Sequence, residues 1–274
     1  MTATNTTALA SAGLLLDLDP DLGRGIDPRH WKLALRSTPV KVVRLPPGPW
    51  TLPQSLADRD DIVALIVTDG IISRETALGA PAAVELISQG DVLLPPTDPP
   101  DHVFAGAQTS LTALTNTTLI VLSQVFIRAA ARWPVLLSNL NRRLESQRQR
   151  LTAQGLALHL SRAEDRLLLI LWQLADGCGR VTPEGIVLPL SLSHDTLARL
   201  SAARRPTITL ALHGLEAADL VRRQNGHLLL TEAARERADQ LTNPADVRSA
   251  IGAAITLHAW HRHDNHTRPA ARQT

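Results

Sequence analysis

Two pairs of arginines carry the most usable chemistry in this sequence. Arg204-Arg205 runs into Pro206, Thr207 and Thr209, and Arg222-Arg223 comes beyond one helix length. A guanidinium is a rigid fork of N–H donors that fits the O6 and N7 edge of a guanine. Threonine hydroxyls and the unpaired N–H groups of a helix start suit phosphate oxygens. Ser193, a good N-cap residue, opens the preceding helix and joins Arg204, Arg205, Thr207, Thr209, Arg222 and Arg223 as a candidate contact to a polyanion.

Other reactive side chains are scattered. Cys178 is the only cysteine, which excludes an intrachain disulfide and any multi-cysteine zinc or iron–sulfur site. It sits between Gly177 and Gly179, and reads as a helix-terminating residue or as a redox sensor. His258, His261, His263 and His266 cluster around Asp264, either as a metal clip or as a solvated tail. His102 is a lone loop histidine, ordinarily solvated and at most a haem ligand. No Ser/His/Asp grouping, glycine-rich phosphate loop or carboxylate pair stands out, so the sequence offers no enzyme a constellation and assigns no cofactor.

The elements around the arginines have a definite order. Ser161–Leu174 reads as a helix, with Glu164 three residues after Ser161 as a capping box. A strand over Ile186–Leu190 leads to the Ser193 cap and a helix over Asp195–Leu200. The small residues Ser201-Ala202-Ala203 then turn into a helix from about Arg205 to Ala217. Leu197, Ala198 and Leu200, then Ile208, Ala211, Leu212 and Leu215, supply the buried faces. Leu220–Arg223, Asn225-Gly226 and Leu228–Leu230 make a tight hairpin, because Asn-Gly supplies the positive φ of a type I′ turn. That order predicts a winged helix-turn-helix.

Upstream the period differs. Trp133-Pro134 starts a helix in which Trp133, Leu137, Leu140, Leu144, Gln147, Leu151, Gln154 and Leu158 alternate steps of four and three. Such a seam pairs two helices in a dimer, with Leu137, Leu140, Leu144 and Leu151 at the contact. The alternative is an amphipathic helix packed on its own domain. From Val40 to Leu122, short apolar, β-branched runs end at turn residues, as in a small antiparallel barrel or sandwich. Asp69-Gly70 reads as a hairpin turn between Ile62–Val67 and Ile71–Ser73, and Leu14–Leu22 and Arg29–Arg36 as helical lids.

The chain of 274 residues, 44% hydrophobic and 20% charged, has material for two domains plus an appendage. The expected division is a barrel over 1–125, a dimer helix over 126–158, a winged helix over 159–241 and a tail over 242–274. No apolar run approaches a membrane span, no signal peptide stands at the start, and the cysteine usage fits a reducing cytoplasm. Only Lys32 and Lys41 are lysine, the other 26 cations are arginine, and none lies between Arg74 and Arg128. A cation-free middle and a basic second half suit a polyanion partner, although solvated helix faces look alike.

At these residues the sequence resembles the Crp/Fnr superfamily of bacterial transcription regulators. The resemblance runs through Arg166-Leu167, Leu188-Pro189-Leu190, Leu197-Ala198-Arg199-Leu200, Arg205, Thr207, Ala211-Leu212, Leu215-Glu216 and Leu220-Val221-Arg222-Arg223. It covers residues 14 to 241, most strongly 161 to 231. It implies an α+β chain with an N-terminal cyclic-nucleotide-binding-like barrel or jelly roll, a long dimerisation helix and a C-terminal winged helix. It also implies a homodimer on a pseudo-palindromic DNA operator, with an effector site in the barrel; RNA polymerase is a further candidate partner.

Two departures qualify it. The family's recognition helix usually reads Ser-Arg-Glu-Thr with a second Arg three positions on, whereas here Arg204-Arg205-Pro206-Thr207 leads to Leu210. By resemblance Arg205 inherits base reading and Thr207 a phosphate contact. In the barrel, Gly90-Asp91 looks like the turn before the family's phosphate-binding cassette. The stretch after it, Leu94 to His102, is proline-rich and lacks the cassette's arginine. A buried phosphate without a cation is unfavourable, so the expected effector is unknown and not a cyclic nucleotide. The competing expectation is a protein-interaction adaptor that keeps the winged helix without reading DNA.

Overall fold

The structure, a computed structural model, describes residues 9–50, 61–79, 82–95 and 106–243. Its N-terminal part is a jelly roll of two antiparallel sheets. The strands are β1 (Leu9–Leu14), β2 (Pro39–Leu45), β3 (Gly48–Trp50), β4 (Ile62–Asp69), β5 (Ile72–Ala77), β6 (Ala82–Ile87), β7 (Val92–Leu93), β8 (Gln108–Ala113) and β9 (Thr117–Ser123). One sheet runs β1-β2-β9-β4-β7 and the other β3-β8-β5-β6. Val43, Leu45, Leu65, Ile72, Ile87 and Leu119 interdigitate between them, all buried. The lids form as α1 (Leu15–Leu18), a 3₁₀ turn over Pro20–Gly23 and α2 (Trp31–Ser37).

Asp69-Gly70 is not a hairpin. β4 pairs with β7 and β9, whereas β5 pairs with β6 and β8, so this turn is a corner between the sheets. Gly70 takes φ +89°, and a Cβ there would stand 2.4 Å from the Asn116 carbonyl oxygen. The glycine marks a crowded corner, and local sequence does not distinguish that from a hairpin. β1 and β3 have no counterpart in the sequence reading, because each is defined by a distant partner: β1 by β2, and β3 by β8.

After α3 (Gln124–Ala130), the long helix α4 (Pro134–Ala157) starts with proline in its first turn, as expected. Its orientation shows which seam residues touch their own chain. Trp133, Gln147 and Gln154 face their own chain. The Trp133 indole donates to Ser37 Oγ at 2.9 Å. Gln147 accepts from the Val92 N–H at 3.3 Å and donates to Glu85 at 2.8 Å. One column of the seam, Trp133, Leu140, Gln147 and Gln154, faces the chain's own jelly roll along the whole helix. In the other column, Leu137 and Leu151 lie on the outer flank. Leu137 and Leu151 are 37% and 39% exposed, while Leu140 and Leu144 pack partly against the barrel.

The C-terminal part is α5 (Ala163–Cys178), β10 (Arg180–Thr182), β11 (Gly185–Val187), α6 (His194–Leu200), α7 (Arg205–Ala217), β12 (Val221–Gln224), β13 (His227–Leu230) and α8 (Glu232–Thr242). Ser161 does not cap α5. Its N-cap is Arg162, without a side-chain cap bond, and the helix runs past Leu174 to Cys178. Ser193 does cap α6, accepting the Thr196 N–H at 3.0 Å. Asn225 (φ +51°) and Gly226 (φ +81°) form the expected turn of the wing. α8 adds a helix beyond the expected hairpin; Thr231 caps it, accepting from the Ala234 N–H.

The apolar core of this part reaches the barrel. Leu167, Leu171, Leu197, Ile208, Leu212 and Leu230 lie in one buried cluster with Ile71 from the barrel corner, and Leu86 and Leu114 pack against it. The barrel and the winged helix thus share a hydrophobic seam.

Candidate nucleic-acid interface

α6 and α7 meet across Ser201-Ala202-Ala203, where Ala202 takes φ +47° and the Ser201 hydroxyl donates to Leu197 O at 2.5 Å. Ile208, Ala211, Leu212 and Leu215 turn inward, which fixes the outward face of α7 by periodicity. That face carries Pro206, Thr207, Leu210 and His213, with Arg204 at the N-cap and Arg205 at the first helical position; all six are exposed.

Thr209 is displaced from the expected set. It is half-buried on the flank toward α6, where its hydroxyl donates to Arg205 O at 3.1 Å and meets His194 Nδ1 at 3.0 Å. Ser193 is likewise occupied, through its cap and a 2.9 Å bond to the Thr196 hydroxyl. Residues spaced by two do not share a helix face, so Thr207 and Thr209 cannot both point outward. Leu210 and His213 belong to the outward face and are absent from the set read from the sequence. The i+3 and i+6 steps from Thr207 are the signal that finds them.

Arg205 stands 3.7 Å from Asp195, a loose pair with both side chains more than half exposed. On the wing, Arg222 donates two hydrogen bonds to Asp219 at 2.6 and 2.7 Å, and Arg223 donates one to Glu216 at 2.8 Å. The guanidinium holds the Asp219 carboxyl below its usual pKa. Water screens such exposed pairs and leaves them weak, so a phosphate can replace the carboxylate at small cost. Four cations therefore flank an outward helix face whose centre is uncharged.

This interface is held by polar links to the rest of the chain. Arg199 of α6 donates to Glu75 of β5 at 2.7 Å. Gln154 of α4 donates from one amide nitrogen to Val84 O of the barrel at 3.1 Å and Leu200 O of α6 at 3.3 Å. Gln173 of α5 donates to Arg150 O at 2.8 Å, and Arg150 pairs with Asp91 of the barrel turn. Burial pushes the Asp91 carboxyl above its usual value, while the Ser88 N–H and Arg150 pull it back.

Cys178 closes α5, its thiol donating to Leu174 O at 3.2 Å. Burial, helped by the Asp91 charge, pushes its pKa from 9.0 up to about 11. A shift of that size lowers the thiolate population at pH 8 roughly a hundredfold. Iodoacetamide is therefore expected to alkylate native Cys178 roughly a hundred times more slowly than the urea-unfolded chain. Equal rates would show an accessible thiol. A sluggish thiol argues for the structural role of this cysteine over redox sensing.

Among the described residues no group of three or more His, Cys, Asp or Glu side chains is placed to hold a metal, and no helix is long and apolar enough to cross a membrane. His102, the prolines at 96, 99 and 100, and the tail histidines with Asp264 lie outside the described residues.

No protein-family model and no curated protein matches the sequence. Solved structures do match the fold. A cyclic nucleotide-binding domain containing protein from Listeria monocytogenes EGD-e superposes with TM-score 0.58 at 17% identity, over 79% of this chain and 98% of that one. A CooA mutant from Carboxydothermus hydrogenoformans gives 0.56 at 18%, over 82% and 95%. A CRP-family transcriptional regulator from Thermus thermophilus gives 0.52 at 19%, over 71% and 95%. The chain therefore shares the fold of these structures: a jelly roll joined by a long helix to a winged helix-turn-helix.

Proposed function

We propose that this chain is a sequence-specific DNA-binding transcription regulator, not an enzyme, that binds a pseudo-palindromic operator as a homodimer. The observation that carries this reading is the outward face of α7, ringed by Arg204, Arg205, Arg222 and Arg223. A helix so presented fits the major groove, and the flanking cations fit the phosphates on either side. The flank of α4 supplies the second half of the dimer. In this reading 126–158 is the dimerisation segment, and RNA polymerase is the natural further partner of such a regulator in the cytoplasm.

The test is binding to duplexes selected from a randomised pool, with a salt titration of the preferred one. Specific binding with a linear, steep fall of log affinity against log salt is expected, because phosphate contacts release counterions. Absence of any preferred duplex would favour the adaptor reading instead.

The barrel is expected to ignore cyclic AMP and cyclic GMP. Its interior is filled by apolar side chains. The nearby arginines are engaged: Arg74 with Glu85, Arg143 with Asp19, Arg150 with Asp91 and Arg142 with Asn139. The cassette span at 96–105 lies outside the described residues, and its sequence contains no Lys or Arg. Calorimetric titration should show no heat of binding for either nucleotide. A low-micromolar or tighter dissociation constant would overturn the argument from missing charge.

Whatever the barrel senses has a short path to the interface. Gln154 touches the barrel strand β6 and the end of α6 with one amide, and Arg199–Glu75 makes a second tie. A shift of β6 against α4 would strain the shared amide that also holds the end of α6.

A further inference from the structure

The uncharged centre of the α7 face has a chemistry of its own. Leu210 is 71% exposed, among the most exposed large apolar side chains of the described residues. It lies between Pro206 and Thr207 on one side and His213 on the other, all exposed. The opposite face of α7 is consumed by the core, so no described element covers Leu210. Five residues separate it from Arg205, about 7.5 Å along the helix axis, or roughly two base-pair steps in a groove.

An isobutyl group neither donates nor accepts a hydrogen bond. Among the groups that bases present in the major groove, only the thymine 5-methyl matches it. We propose that Leu210 reads a thymine by its methyl group, about one or two base pairs from the pair read by Arg205. This rests on the DNA-binding reading above. Leu210 would reject the other bases at that position, since a polar edge set against the leucine loses its water without gaining a partner.

The experiment uses the full-length protein and a duplex that it selects from a randomised pool. Each thymine is replaced singly by uracil, which removes one methyl and nothing else, and dissociation constants are measured for wild type and for Leu210→Ala. At one thymine per half-site, wild type should lose about fourfold in affinity, as for one buried methyl-sized group, and about fifteenfold when both half-sites are changed. Leu210→Ala should be indifferent to those same replacements. Its melting temperature should match wild type, because the side chain stands clear of the core. A preferred duplex at which no uracil costs wild type anything, or at which the variant pays the same penalty, overturns this inference and leaves DNA binding intact. Failure to select any duplex overturns the DNA reading, and this inference with it.

Discussion

Leu151→Arg is expected to leave the protein monomeric at micromolar concentration and to weaken operator binding by a factor of roughly one hundred or more. Leu151 lies on the outer flank of α4, in line with Leu144 and Leu137 at seven-residue steps. In a parallel homodimer the two copies of such a column meet each other. Arginine there sets two like charges into an apolar seam, and an unpaired buried charge costs about 3–5 kcal/mol. Operator binding falls further because each half-site must then be held alone, without the roughly hundredfold or greater gain of bivalency. Leu151 is more exposed than Leu144, which packs on its own barrel, and it borders only an open cavity beside Leu86 and Ile170, so an arginine there disturbs the monomer less. Sedimentation velocity and anisotropy with the selected duplex are the measurements. A wild-type protein already monomeric at micromolar concentration, or a dimeric variant, would falsify the assignment of this seam.

The second large effect is expected at Arg205. Arg205→Ala should cost about 1–3 kcal/mol on the preferred operator and relax the preference at a single position of each half-site. The folded protein should lose little, since the Asp195 pair is loose and exposed. Arg222→Ala gives the contrast. Its guanidinium sits on the wing and would exchange Asp219 for a phosphate, so its loss should weaken all sequences evenly and lessen the salt slope by about one. Competition against single-base operator variants separates the two outcomes. Unchanged selectivity in Arg205→Ala would remove that residue from base reading.

Much of the candidate interface is legible in the sequence because it is local. The Ser193 cap, the span of α7 and the Asn225-Gly226 turn each arise from the chemistry of a few adjacent residues. The outward set is less legible. Polarity alone places Thr209 outside, whereas its hydroxyl is taken by Arg205 O and His194. Leu210 reads as a departure from the family pattern, although its phase on the helix puts it at the centre of the face. Polarity is a weak guide to direction when the buried stripe already fixes the helix.

By itself, then, the sequence determined the Ser193 cap and the Asn225-Gly226 turn, that a cation-free middle precedes an arginine-rich second half, and that α4 carries an apolar column. Those properties depend on neighbours within a turn or a strand. Only the tertiary structure decided that β4 and β5 belong to different sheets, that β1 and β3 exist, and that Gln147 and Gln154 bind the barrel. It alone joined Ile71 to the core of the winged helix. Each of these depends on a partner far along the chain. A turn between two strands is the same few residues whether the strands pair or part. Which column of a 24-residue helix faces inward is set by what it packs against, here the jelly roll, and the repeat alone does not choose between the columns.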